Sequence, residues 1–436
     1  MNTLTYPERL TVQPLSFPID ATVSIPGSKS LTNRALILAV LAKGTSTLTG
    51  ALSSEDTSVM IDSLRRLGFS IDVSNGGEAI RVEGGGGQIP ADTAELFIGN
   101  SGTSVRFLTA LVALGHGTYR LDGVPRMRER PQAALLDALA DLRISARAEF
   151  GNGCPPIIVE AEGGLKGGTA HLDASASSQF LSALLMVAPY AQRELVLQIR
   201  GTLRPFYVDI TRRMMAQWGA EARTGNNREF RIAAGQQYKA QENYPIEPDA
   251  SSASYFFAVA AITGGRITVQ NLSSEALQGD VRFATEVLAE MGCAVTSTTD
   301  SITVQGPPLG ELRGVNRDMS AISDTSLTLA AIAPFANSPT KVTNIAHSRL
   351  QECDRISAVC TELRRLGVTV EEYPDGFEIQ PATTFQTPTT IQTYNDHRVA
   401  MSFALVGLRV PGITIKNPAC VAKTFPDYWQ RLALLS

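Results

Sequence analysis

Six places in this 436-residue chain put hydroxyl, amide, cationic or carboxylate side chains just ahead of an alanine-rich apolar run. They bring Lys29, Ser30 and Arg34; Asn100, Gly102 and Thr103; Ser177, Ser178 and Gln179; Asp249; Asp324; and Asp396, His397 and Arg398. The first, SIPGSKSLTNRALILA, suggests a phosphate cradle. A nucleotide P-loop, however, needs G-x-x-x-x-G-K-[ST], and here Ser28 separates Gly27 from Lys29. Free amides at a helix start attract anions, so an anion site and a simple N-cap both stay open for any single opening. Six openings with three basic residues and several hydroxyls make one shared site simpler than six coincidences. Further candidates are Arg126, Arg128 and Arg130 in GVPRMRERP, Glu352, Asp354 and Arg355 in LQECDRIS, and Lys423 in AKTFPDYW. Taken singly, these also fit a solvated turn, an i,i+3 ion pair and an exposed lysine.

The elements that must position these residues repeat. SLRRLGFSIDV, MMAQWGAEART, VLAEMGCAVTS and ELRRLGVTVEE, with ALADLRISARA as a fainter copy, each read as a helix ending on glycine (Arg143 in the faint copy) and then a strand. The six polar openings recur about every 75 residues, and most of their helices run on into a turn and a β-run. Each unit therefore reads as two helices interleaved with short strands. Helices apolar nearly all round, such as ASYFFAVAAI, belong between neighbours. If the six units are arranged alike, their helix starts present positive dipole ends toward one multiply anionic ligand. QENYPIEPDASSA interrupts the pattern after the third unit, which divides the chain into residues 28–246 and residues 1–27 with 247–436. The first strand precedes unit one and crosses over. The tetraglycine of EGGGGQIP follows a strand and leads to Pro90, so it reads as a tight turn.

Composition limits the partners. A net charge of -4 argues against nucleic acid or an anionic membrane as the main partner. Five cysteines without a C-x-x-C pair, and four histidines without metal-ligand spacing, suggest a reducing compartment and no metal. The N-terminus lacks a basic-then-apolar leader, and the apolar runs fall short of the ~18 residues that span a bilayer, so a soluble cytoplasmic protein is expected.

PGSKSLTNRALILA, GNSGTSVRFL, DGVPRMRERP, SSQFLSALLM, EPDASSASYFFA, ECDRISAVCTELRRLG, NDHRVAMSF and AKTFPDYW together resemble the 5-enolpyruvylshikimate-3-phosphate synthase family, in order and through essentially the whole chain. The resemblance implies an α/β fold, a two-domain inside-out barrel of six βαβαββ repeats, three per domain. It implies transfer of the enolpyruvyl group of phosphoenolpyruvate to the 5-hydroxyl of shikimate 3-phosphate, without metal or organic cofactor, by a monomer. By position, Lys29, Arg126, Gln179, Arg355, Arg398 and Lys423 look like the phosphoenolpyruvate clamp, lined by Asn100 and Gly102. Ser30, Arg34, Ser177, Ser178 and Tyr207 look like the shikimate 3-phosphate contacts. Asp324 looks like the base for the 5-hydroxyl and Glu352 like the acid for the methylene carbon, with Lys29, Lys423 and His397 supporting proton traffic and phosphate departure. Gly102 leaves room beside phosphoenolpyruvate, so inhibition by glyphosate is expected.

Departures from the family pattern fall on the shikimate side. His347 and Gln351 stand where an asparagine and a lysine are usual, and Leu203 and Arg204 replace the usual serine and lysine before Pro205; Phe107 follows Arg106 in place of proline or leucine. They leave room for a paralogue with a modified acceptor. A UDP-amino sugar transferase would need a reactive loop cysteine, and Cys154 lies between prolines and glycines instead. A non-catalytic anion-binding protein would not need Asp324 and Glu352, and an RNA phosphate cyclase fits poorly with the acidic charge balance.

Overall fold

The structure, a computed structural model, describes residues 5–15, 19–226 and 228–435. It divides into two compact units, Gly27–Ile246 and Met1–Pro26 with Glu247–Ser436. Among the described residues are five four-stranded sheets and one three-stranded sheet. All share one pattern. A first strand pairs in parallel with a second, and antiparallel strands extend the sheet beyond it, as in Thr93–Phe97, His116–Asp122, Ile157–Glu162 and Ser145–Ala148. The parallel step needs a crossover, and in four of the sheets the helix that opens the repeat supplies it.

Two sheets borrow their parallel strand from elsewhere in the chain. Tyr244–Pro245 lies beside Lys43–Thr49 and completes the first repeat's sheet. Asp20–Val23 lies beside Arg266–Gln270 in the fourth repeat, and Arg9–Thr11 pairs with Ile413–Lys416 in the sixth. The N-terminal segment thus belongs to the unit that holds the last three repeats.

The six opening helices are Lys29–Leu41, Gly102–Val112, Gln179–Val187, Ala250–Thr263, Ser326–Ile332 and His397–Gly407. Within each unit its three opening helices touch one another pairwise, and the sheets flank them. Every residue of Ala250–Thr263 and of His397–Gly407 is buried. This inside-out arrangement explains the all-round apolarity: a helix with neighbours on every side needs no polar face. The second helices differ. Glu55–Arg66 and Arg355–Arg365 are amphipathic and end on arginines, which suit the negative end of the helix dipole. The repeat's glycine follows them in the left-handed region, with Gly68, Gly219, Gly292 and Gly367 at φ 91°, 94°, 102° and 81°. In the faint copy Arg143 takes φ 63°, doing with a side chain what glycine does without strain.

Candidate active site

Four of the six opening helices start on side chains that cap free amides. Ser28 accepts from the Leu31 amide, Ser101 from Ser104, Asp249 from Ser252 and Asp396 from Arg398. Capping fixes the direction of the first turn, and the candidate residues sit on or beside that turn. Each unit holds its own group of them.

In the Gly27–Ile246 unit the group is mostly hydroxyls, amides and cations. Lys29 Nζ lies 3.6 Å from Asp56. Arg34 is fully buried: its Nε donates to Thr211 Oγ1 at 2.8 Å, and its terminal nitrogens donate to Ser30 O at 3.0 Å, Ser30 Oγ at 2.5 Å and Tyr207 O at 3.2 Å. Its guanidinium also lies over the Phe107 ring. Burial lowers Arg34 to about 10, which leaves it charged at neutral pH. Its bonds tie Ser30, on the first helix, to Tyr207 and Thr211 on Pro205–Gln217. The Gln179 amide donates to Ser177 Oγ at 3.2 Å, and Ser178 is buried at the start of the same helix.

Two further arginines complete this group: Arg106, to which the sequence assigns no role, and Arg130, a candidate only as part of its basic cluster. Arg106 donates to Gln179 Oε1 at 2.6 Å, which leaves the Nε2 side of that amide as its donor face. Arg130 donates to Asn100 O and Oδ1 at 3.0 and 3.3 Å. A Cβ built on Gly102 would stand 2.4 Å from an Arg130 terminal nitrogen, so the absence of a side chain at Gly102 is what lets Arg130 lie there. Arg126 lies on the neighbouring turn and pairs with Glu129 at 2.8 Å.

The other unit gathers Asp324, Gln351, Glu352, Arg355, Asp396, His397, Arg398 and Lys423 into one ion network. Arg355 begins the helix that Asp354 caps, and its side chain is 3% exposed. Its Nε donates to Asp396 Oδ2 at 2.8 Å, one terminal nitrogen to Glu352 Oε2 at 2.9 Å, and the other to Asp324 Oδ1 at 3.3 Å and to Gln351 Oε1. Burial opposes its charge, but Asp396, Glu352 and Asp324 outweigh that and hold Arg355 above its ordinary value. Arg398 donates to Asp324 Oδ2 at 2.8 Å, and against the same burial penalty Asp324, Tyr255, Asp249 and Asp280 raise it well above normal. Lys423 Nζ lies 3.8 Å from Glu352 Oε1. His397 is fully buried with Nδ1 3.6 Å from Asp396, and His347 Nε2 meets Ser323 Oγ at 2.9 Å.

The sequence places Asp396 at a helix opening without a role of its own, and it does not single out Asp280. Asp396 is the hub that holds Arg355 and caps the helix carrying Arg398, and its signal was its place in NDHR. Asp280 is buried, accepts from Ser251 Oγ at 3.0 Å, and is pushed up to about 7 by burial first and then by Asp324. Nothing in QGDVRF marks it, because its environment is built by residues about 30 positions earlier in its own repeat and by Asp324 of the next. Among the described residues no group of three His, Cys, Asp or Glu side chains could hold a metal ion.

Chemically, one unit offers carboxylates poised between fixed cations, suited to proton transfer, and the other offers donors suited to anions. The sequence model of the EPSP synthase (3-phosphoshikimate 1-carboxyvinyltransferase) family matches residues 15–432. A 3-phosphoshikimate 1-carboxyvinyltransferase of Nostoc punctiforme is 51% identical over 97% of this chain and 98% of its own. The tomato (Solanum lycopersicum) protein, named as chloroplastic, is 44% identical over 98% of this chain and 84% of its own. Among solved structures, an EPSP synthase from Acinetobacter baumannii aligns with a TM-score of 0.81 at 25% identity, covering 98% of each chain. The enolpyruvyl transferase NikO from Streptomyces tendae shares the fold, with a TM-score of 0.75 at 18% identity and coverage of 98% and 97%.

Proposed function

The chain belongs to the EPSP synthase family, and from that premise we propose how its residues divide the reaction. The protein is a 3-phosphoshikimate 1-carboxyvinyltransferase of aromatic amino-acid biosynthesis. It moves the enolpyruvyl group of phosphoenolpyruvate to the 5-hydroxyl of shikimate 3-phosphate and releases phosphate. Addition puts a proton on C3 of phosphoenolpyruvate, bonds the hydroxyl oxygen to C2 and removes the hydroxyl proton. Elimination breaks the bond from C2 to the phosphate oxygen and takes a proton back from C3.

Glu352 is assigned the proton at C3 and Asp324 the hydroxyl proton. The division follows the family resemblance, and the observation that supports their acting together is a shared cation: both carboxylates meet the Arg355 guanidinium, through different nitrogens. A proton gained by one therefore changes the field at the other. Arg355, Arg398, Lys423, Lys29, Arg126 and Gln179 are assigned to the carboxylate and phosphate of phosphoenolpyruvate, and planar guanidinium forks suit both groups. Asn100 and Gly102 are assigned to line that site, where inhibition by glyphosate is expected, and Gly102 also seats the Arg130 guanidinium. Ser30, Ser177, Ser178, Tyr207 and Gln351 are assigned to shikimate 3-phosphate. The four internal bonds of Arg34 support a role in holding Ser30 and Tyr207, and the burial of His397 supports a role behind Asp396.

No described helix is long and apolar enough to cross a membrane. The proposed protein is a cytoplasmic monomer using small-molecule substrates and no cofactor, and equilibrium sedimentation tests the monomer. The function is tested by phosphate release from phosphoenolpyruvate with and without shikimate 3-phosphate. Release that needs the acceptor and falls about 1,000-fold in Glu352→Ala is expected, within the range for loss of a general acid. Acceptor-independent release, or an undiminished Glu352→Ala rate, overturns the assignment.

A further inference from the structure

The residues just ahead of Asp396 adopt a backbone that their side chains disfavour. Tyr394 and Asn395 both lie at φ 54°, and two consecutive non-glycine residues in the left-handed region are costly, the more so for a bulky tyrosine. Such a conformation persists only where surrounding contacts over-determine it. Here they do. The Tyr394 hydroxyl donates to Glu362 Oε1 at 2.7 Å, and the Gln392 amide donates to Glu362 Oε2 at 3.1 Å. Thr393 Oγ1 donates to Lys416 O at 3.0 Å, Asn417 Nδ2 donates to Asn395 Oδ1 at 3.0 Å, and the Asp396 amide returns to Thr393 O at 2.8 Å.

Glu362 has no exposed side-chain surface, and its remaining partner is Arg365 Nε at 3.0 Å. It stands seven positions after Arg355 on the same helix, roughly 10 Å along the axis at the helical rise of about 1.5 Å per residue. Helix Arg355–Arg365 therefore grips one short segment at two points. Arg355 holds Asp396 at the helix start, and Glu362 holds Gln392 and Tyr394 two turns on. Burial, then the Glu362 bond, push the Tyr394 hydroxyl up to about 12, so it stays a donor across the working pH range.

We propose that Tyr394 and Glu362 form a clasp that positions the catalytic network: by locking the left-handed pair, they fix where Asp396 sits and hence how Arg355 and Arg398 are presented to phosphoenolpyruvate. Tyr394 is a positioning residue, since it acts through Asp396. The inference rests on the functional reading above only for the name of the ligand.

The test compares Tyr394→Phe, which keeps the ring and removes the donor, with Glu362→Gln, which keeps an acceptor for the hydroxyl. Tyr394 is 41% exposed, so the Phe variant loses a hydroxyl without opening a core cavity. In Tyr394→Phe, KM for phosphoenolpyruvate is expected to rise about 5- to 10-fold while KM for shikimate 3-phosphate changes less than 2-fold, as loss of ground-state clamping predicts. Glu362→Gln, in which the hydroxyl keeps its acceptor while the Gln392 amide loses one, should show a smaller rise. Hydrogen exchange at the amides of residues 396–400 should speed up in Tyr394→Phe, a readout that needs no turnover. Unchanged exchange there, or both KM values rising together, overturns the clasp. A wild-type protein that exchanges as expected but transfers nothing would instead sink the functional assignment.

Discussion

The two units repeat the same sheet and the same buried helices, yet their helix openings carry opposite electrostatics. In Glu247–Ser436 the openings bring Asp249, Asp324 and Asp396 against Arg355 and Arg398, so each buried cation is already compensated by carboxylates. In Gly27–Ile246 they bring serines, an asparagine, a glutamine, Lys29 and Arg34, and the most buried cation is met by neutral oxygens. One scaffold thus hosts a network that can exchange protons and a donor group that can hold anions. The difference lies in a handful of first-turn residues, because the helix interiors are fully committed to packing.

Removing the cation that the acidic group shares should break the comparison most severely. Arg355→Met leaves three inward carboxylates short of their partner, and about 3–5 kcal/mol of stability should be lost in urea unfolding, as when one side of a buried ion pair is deleted. A loss below about 1 kcal/mol would show the network to be dispensable for folding.

Next comes pH. Folded Asp280 keeps its proton up to about 7, whereas an unfolded aspartate loses it near ~4. Between these values the native state binds more protons than the unfolded state, so stability falls as pH rises through the window and levels off above it. Asp280→Asn should remove that slope, which is worth up to about 4 kcal/mol. Parallel pH–stability curves for the two proteins would show that Asp280 is not the titrating group.

In the neutral-donor unit the corresponding change should cost less. Arg34→Met forfeits bonds to Thr211, Ser30 and Tyr207 but leaves no buried charge behind, and about 2 kcal/mol is expected, with KM for shikimate 3-phosphate rising more than KM for phosphoenolpyruvate. A cost equal to that of Arg355→Met would erase the contrast between the units. The smallest effect belongs to Glu129→Gln. The Arg126 pair is exposed, and calorimetry should find stability unchanged within about 0.5 kcal/mol.

Much of the fold was legible before any coordinates. Glycine after a helical run, alternation after the glycine, and apolarity on all sides are local signals, and they marked the repeats and their opening helices. Arg143 kept the faint copy in register because the backbone there needs a left-handed residue more than it needs glycine. Tyr244–Pro245 was hard to read, and the expected first strand is in fact two, Arg9–Thr11 and Asp20–Val23, in different sheets, since a two- to four-residue strand has too few positions to show a period. The π-helix at Phe283–Leu288 likewise hides behind an ordinary helical pattern.

The candidate site divided in the same way. Lys29, Gln179, Asp324 and Arg398 could be named as candidates because residue type and a helix start suffice to suggest anion chemistry, whereas Glu352 and Arg355 read singly as an ion pair and took their roles from the family resemblance. What each side chain faces was settled by tertiary structure alone. Arg34 turns inward to Ser30, Tyr207 and Thr211, Arg106 sets the Gln179 side-chain amide, and Asp280 holds its proton to higher pH first because packing buries it and then because the next repeat places Asp324 nearby. The physical reason is range. Capping, helical period and turn chemistry act over a few residues and are written in order along the chain, whereas burial and charge coupling depend on which parts of the chain meet, and Asp396 and Arg355 meet across 41 positions.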